Sequence, residues 1–307
     1  MDSILIIGTG ALATLFAARL AAAGVEVTML GTWQAGLAAL AEDGARLDNA
    51  TGSRVRVIHD PSDCKEAKYA LVLVKTWQTE RAAQQLEICL AENGLAVTLQ
   101  NGLGNYEILE NILGQKRVGR GVTTLGATLL APGHAHLGGY GKVFLEEQPH
   151  LSSLVRMMRI ANFEIETSNN VQALIWGKLV INAAINPLTA LLRIKNGGLL
   201  ENPHVHILMG ELASEAASVA KACGIVLPFP DPENAVEKVA RQSADNMSSM
   251  LQDVLRGAPT EVDAINGMIV QLGEKNNVSV PVNRVIWSLV NSLSVHGNIY
   301  GLSTGGV

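Results

Sequence analysis

The chain is sparing with the residues that mark most specialised classes of protein. It has three cysteines, Cys64, Cys89 and Cys223, too few and too scattered for a disulfide scaffold and without the spacing of a zinc site. An odd, dispersed set suits a reducing compartment, so a cytoplasmic location is expected. Basic residues are outnumbered, 23 against 28 acidic, and the net charge of −5 predicts no broad cationic surface for nucleic acid. Charged residues make up only 17% of the chain against 48% hydrophobic, which excludes a disordered protein. No uninterrupted apolar run reaches the roughly eighteen residues of a membrane span, so no membrane partner is expected. With 307 residues the chain is long for one core and comfortable for two domains. It shows neither an internal repeat nor a low-complexity tract.

What is present begins at the first residues. Ser3 to Ile7 is a continuous apolar run that breaks at Gly8-Thr9-Gly10-Ala11-Leu12-Ala13. An alanine-rich segment follows to Ala23, Gly24 stops it, and Val25 to Leu30 is a second β-like run. Strand, glycine turn, helix and strand make a βαβ unit of the kind that binds dinucleotides. Gly8 permits the tight turn, Gly10 lets the backbone approach a pyrophosphate, and Ala13 takes the third small position. The first N–H groups of the helix would face the phosphates. A signal peptide would also begin with an apolar stretch. Met1-Asp2 offers no basic leader, however, and Arg19 interrupts the run. The plain alternative is a packing turn with no cofactor.

The residue that ends the second strand of such a unit selects the cofactor: an acid binds the ribose hydroxyls of NAD, an arginine favours the 2′-phosphate of NADP. Here the position holds Thr32, which could hydrogen-bond either. Further on, an alanine-rich helix runs to about Asp43, and residues 53–59 alternate as a strand does. The buried parallel-type strand Tyr69 to Val74 delivers Lys75 at its C-terminal end. After a helix from Thr79 to Leu90, the strand Leu95 to Leu99 ends in Gln100-Asn101-Gly102. Lys75 and Asn101 therefore reach the edge where open α/β sheets bind ligands, though an exposed lysine and an Asn-Gly turn are ordinary features too. Residues 118–146 read as β-rich, with turns at Pro132-Gly133 and Gly138-Gly139. His134 and His136 share a strand face, but no third metal ligand is in view. The domains are placed at 1–170 and 171–307, the second almost wholly helical, with Pro187, Pro203 and the cluster from Pro228 to Pro232 as punctuation.

In that second part, Lys178, Asn182 and Asn186 recur at intervals of four and fall on one helical face among apolar neighbours. Burying them unpaired is costly. Either a polar substrate supplies the partners, or the lysine snorkels and the asparagines bond neighbouring helices. Polar residues interrupt a helical run at Asp245 to Val254. Pro259 and Glu261 look like the ordinary opening of another helix.

Taken together, the stretches resemble the ketopantoate reductases (2-dehydropantoate 2-reductases) over essentially the whole chain. The likeness lies in Gly8-Thr9-Gly10-Ala11-Leu12, Lys75, Gln100-Asn101-Gly102, and Lys178 with Asn182 and Asn186. It continues through Asn246, Ser248 to Asp253 and Thr260 to Gly267. The resemblance implies an α/β protein, with a Rossmann-like N-terminal dinucleotide-binding domain and an all-helical C-terminal domain. It also implies reduction of 2-dehydropantoate, a small 2-oxo acid, with NADPH. It makes Lys178 the general acid and Glu261 the group that orients the reacting end of the substrate and its lysine. Asn182 and Asn186 would bind the distal hydroxyl, and Asn101, Asn246 and Ser249 the carboxylate side; Asn196 is a looser match. Gly8 to Ala13, Thr32, Lys75 and Asn101 would serve the cofactor. Two departures stand out: Thr32 replaces the family's usual arginine, which leaves NADH as the alternative cofactor, and Ala13 replaces the third glycine. The alternatives in function are a same-fold reductase of another 2-oxo acid and a nicotinamide-nucleotide-binding regulator without turnover. Helices with exposed apolar faces leave room for a homodimer.

Overall fold

The computed structural model describes residues 3–64, 66–139 and 141–295. By contacts the chain forms two units. One holds the chain up to Gln100 and then Gly104–Val171; the other holds Asn101–Leu103 and everything described from Gln172 onward.

The first unit runs β1 (Ser3–Ile7), α1 (Ala11–Ala22), β2 (Glu26–Leu30), α2 (Gln34–Asp43), β3 (Arg46–Leu47), β4 (Arg56–Ile58), β5 (Ala67–Val72) and α3 (Thr79–Cys89). It continues with β6 (Leu90–Thr98), α4 (Asn105–Leu113), β7 (Val118–Thr123), β8 (Gly126–Ala131), β9 (His134–Gly139), β10 (Lys142–Glu146), α5 (Ser152–Ile160) and β11 (Glu164–Ser168). The main sheet has the order β11-β10-β7-β6-β5-β1-β2-β4, with β4 through β7 all parallel. In chain order those six strands read 3-2-1-4-5-6, the doubly wound order of dinucleotide-binding domains. The chain reverses its direction of winding between β1 and β5, and the C-terminal ends of strands at such a switch point are where open α/β sheets bind ligands. Alternate residues of β1 explain its unbroken apolar run: Ile4 and Ile6 enter the core on one face, Leu5 and Ile7 the core on the other.

The three-stranded sheet β3-β9-β8 packs over α1 from the side away from the main sheet. That is why α1 is apolar nearly all round, with Ala13, Leu15, Phe16 and Ala17 fully buried. Two expectations change here. Only Arg56–Ile58 of the stretch 53–59 is a strand, a short sheet edge beside β2, while Ser53 merely bridges to Ala45. Gly138 and Gly139 do not turn. They lie inside β9, where Gly139 pairs with Gly126.

The second unit comprises α6 (Val171–Leu192), α7 (Pro203–Ala222), α8 (Pro232–Gln242), α9 (Ser249–Leu255), α10 (Met268–Lys275) and α11 (Pro281–Val295), with no strand among its described residues. Pro203 and Pro232 open their helices behind the capping side chains of Asn202 and Asp231. Pro187, expected to punctuate, lies inside α6. That helix has the length and hydropathy of a membrane span, which a search for an uninterrupted run misses because Lys178 and two asparagines break it. Of its most apolar window 67% is buried inside the protein, as in the central helix of a bundle.

Candidate active site

The first unit carries a candidate cofactor site made of backbone. Gly8 N donates to Leu30 O and Leu73 N to Ile7 O, both at 2.9 Å, so the glycine turn is tied to the ends of β2 and β5. Gly8 has φ +127°, and a Cβ there would stand 2.8 Å from Leu73 O; only glycine fits. Gly10 differs. It precedes α1 with φ −81°, no side chain caps the helix, and a Cβ would meet nothing within 4 Å. Uncapped N–H groups facing open space at the switch point of the sheet suit a pyrophosphate. Thr9 is buried against Gly31, Ala11 and Leu12 are half-buried at the helix start, and Ala13 is buried in the core.

Lys75 stands half-buried before a 3-10 turn, Thr76–Gln78, that leads into α3. Gln100 holds this loop. Its Nε2 donates to Val74 O and Thr79 Oγ1, each at 2.9 Å, and its Oε1 accepts from Thr98 Oγ1. Thr79 Oγ1 also lies 2.8 Å from Asn105 Oδ1. Gln100 is thus a latch across β5 and β6, a role that its place in the motif does not disclose. Thr32 is exposed, and its Oγ1 accepts from Arg81 Nη2 at 3.2 Å.

The second unit carries a candidate catalytic site of its own, made of side chains. Lys178 and Asn182 are half-buried on α6, while Asn186 is 6% exposed. Glu261 is also 6% exposed and accepts from Asn101 Nδ2 at 3.2 Å. Asn101 is held in place by its neighbours. Leu103 N donates to Ala264 O at 2.9 Å, and Gly102, at φ +75°, passes so close that a Cβ would lie 2.5 Å from that oxygen. Burial pushes the Lys178 ammonium down to about 8, while the carboxylate of Glu261 acts the other way and supports the charge. The outcome is a lysine still mostly charged at neutral pH and far more acidic than a solvated one.

Glu261 does not open an ordinary helix. It precedes a π-turn over Asp263–Gly267, closed by Gly267 N donating to Val262 O at 3.0 Å, before α10 begins. Asn266 in that turn is fully buried, and its Nδ2 donates to Ala183 O at 3.0 Å. The carbonyl of Ala183 is the one that Pro187, lacking an N–H, leaves without its helical partner. The proline in α6 therefore creates an acceptor, and Asn266 uses it to dock the Glu261 segment onto the helix that carries Lys178. Asn266 Nδ2 also donates to Asn283 Oδ1; Asn283 Nδ2 donates to Glu215, whose carboxylate accepts the first N–H groups of α11.

The loop 243–248 interrupts the helical run expected at Asp245 to Val254. Ser248 caps α9 by accepting from Leu251 N and meets the buried Thr189 of α6 at 2.7 Å, which seats Ser249, half-buried, at the helix start. Asn246 has an exposed side chain, and its main-chain oxygen accepts from Asn196 N. Asn196 is buried and donates to Ser243 Oγ, so it supports the loop. The two histidines both meet Asp48, His134 at its carbonyl and His136 at its carboxylate. No cluster of three metal-ligating residues occurs among the described residues.

Known proteins match the chain over nearly its whole length. Residues 4–150 match the family described as Ketopantoate reductase PanE/ApbA, and residues 170–294 match Ketopantoate reductase PanE/ApbA C terminal. The chain is 36% identical over 298 residues to 2-dehydropantoate 2-reductase of Archaeoglobus fulgidus, covering 95% of this chain and 98% of that one. It is 32% identical to the enzyme of the same name from Pyrococcus abyssi, covering 94% and 96%. Among solved structures, a PanE/ApbA family ketopantoate reductase from Ralstonia eutropha superposes with a TM-score of 0.89 at 32% identity, covering 95% and 98%. D-mandelate dehydrogenase in complex with NADH shares the fold, with a TM-score of 0.88 at 23% identity, covering 95% and 99%. The chain belongs to the ketopantoate reductase family.

Proposed function

We infer that this protein reduces 2-dehydropantoate to pantoate with hydride from NADPH, a step toward pantothenate and coenzyme A. The observation that carries the reading is the half-buried Lys178 in the field of the buried Glu261, whose carboxylate supports the lysine's charge and is itself held by Asn101. The bound nicotinamide would supply the hydride. Lys178 Nζ would hydrogen-bond the ketone oxygen and give it a proton as the carbonyl carbon is reduced, so that no free alkoxide forms. Glu261 keeps the lysine charged between turnovers, and solvent returns the proton. Asn182 and Asn186, on the same helical face, suit the distal hydroxyl; Asn101 and Ser249 suit the carboxylate side. Asn246, with its exposed side chain, fits that role less directly. The three cysteines, all unbridged, fit a reducing cytoplasm.

The test is consumption of NADPH in the presence of 2-dehydropantoate, with other 2-oxo acids compared in parallel. Turnover highest with 2-dehydropantoate is the expected result. Turnover confined to another 2-oxo acid would keep the chemistry and replace the substrate.

A further inference from the structure

We propose that Arg81 is the residue that recognises the 2′-phosphate of NADPH, replacing from α3 the arginine that is missing after β2. The proposal rests on the nicotinamide-nucleotide reading above and adds the basis of cofactor choice. In a doubly wound domain, the group at the C-terminal end of the second strand lies beside the adenosine ribose and distinguishes hydroxyl from phosphate. Thr32 occupies that position and brings no charge.

The charge comes from elsewhere in the same unit. Arg81 is the third residue of α3, exposed, and its Nη2 donates to Thr32 Oγ1 at 3.2 Å. The guanidinium is therefore already delivered to the selecting position. A cation there does nothing for the helix, since the first turn of a helix favours negative charge. Nor does it serve an ion pair: among the described residues no carboxylate lies within salt-bridge distance of Arg81, although Glu80 is its neighbour in the chain. Residues 31–34, Gly-Thr-Trp-Gln, add no acid that would attract ribose hydroxyls or repel a phosphate. A guanidinium hydrogen-bonded, among the described residues, only to a neutral hydroxyl keeps donors for phosphate oxygens, in the planar fork that suits them.

The test is equilibrium binding of NADPH and of NADH to the full chain by calorimetry, without substrate. The wild-type protein binds NADPH more tightly. Arg81→Ala weakens NADPH by about tenfold to a hundredfold, the worth of a charged hydrogen bond, and leaves NADH nearly unchanged. Adding Thr32→Arg to Arg81→Ala returns the charge to the strand end and restores the NADPH preference. Equal weakening of both nucleotides, no weakening of either, or a wild-type preference for NADH would overturn the role of Arg81 while leaving a nicotinamide enzyme. Failure of the wild-type chain to bind either nucleotide would overturn the functional reading together with the proposal.

Discussion

The glycine turn of the first unit and the lysine site of the second are built from opposite materials. The turn works through what its residues lack: at Gly8 a side chain would collide with Leu73 O, and at Gly10 space is left open before uncapped N–H groups. The lysine site works through side chains that resist burial and have been given partners. Asn101 and Glu261 meet across 160 residues of sequence, and Asn266 finds a carbonyl that Pro187 sets free 83 residues away. The difference is one of range. A site of backbone and space is specified by a few consecutive residues, whereas a site of buried polar groups needs the whole fold to close it.

Substitutions can break this contrast. The largest effect is expected for Lys178→Ala, which removes the proposed proton donor: hydride transfer should slow by about 10²–10⁴-fold while NADPH binding is retained. Rapid-mixing kinetics and a binding titration on one preparation check both halves. The two glycines should then separate. Gly8→Ala, at φ +127° and against Leu73 O, should cost about 1–3 kcal/mol of stability, read as a lower melting temperature. Gly10→Val should leave melting nearly unchanged and weaken NADPH by about tenfold or more by blocking the proposed phosphate contact. In the second unit, Asn266→Ala orphans the carbonyl of Ala183 and should destabilise by about 1–3 kcal/mol in denaturant titrations, lowering turnover as well because Glu261 loses its docking. Thr189→Val, which removes the contact with Ser248, is the smallest change, about 1 kcal/mol, and should raise KM more than it lowers kcat.

The same contrast explains what could be read before the structure. Apolar runs, glycines and helix faces are local, so β1, α1 and the parallel strand before Lys75 are legible from their residues, as is the common face of Lys178, Asn182 and Asn186. Family likeness was needed to single out Glu261, since an acid two residues after a proline looks like a helix start and the π-turn behind it has no composition of its own. Pro187 was misleading for a physical reason. A proline ends a helix when nothing else satisfies the freed carbonyl, and its partner, Asn266, lies on a distant segment. Gln100 and Asn196 were visible as polar residues, but their hydrogen bonds across loops depend on strand and helix packing. Arg81 carried no signal at all, because its meaning depends on the tip of a neighbouring strand.

In the proposed mechanism a charged Lys178, supported by Glu261, delivers the proton. The most direct test is the pH dependence of the single-turnover rate of 2-dehydropantoate reduction, for the wild-type protein and for Glu261→Gln. Only the ammonium can donate, so the wild-type rate should hold through neutral pH and fall as pH rises through about 8. The glutamine variant loses the carboxylate that holds the lysine's proton on, so its fall should begin at lower pH. A wild-type rate that stays level to about pH 10, where an ordinary lysine titrates, or a fall at the same pH in both proteins, would exclude a Glu261-supported Lys178 as the proton donor.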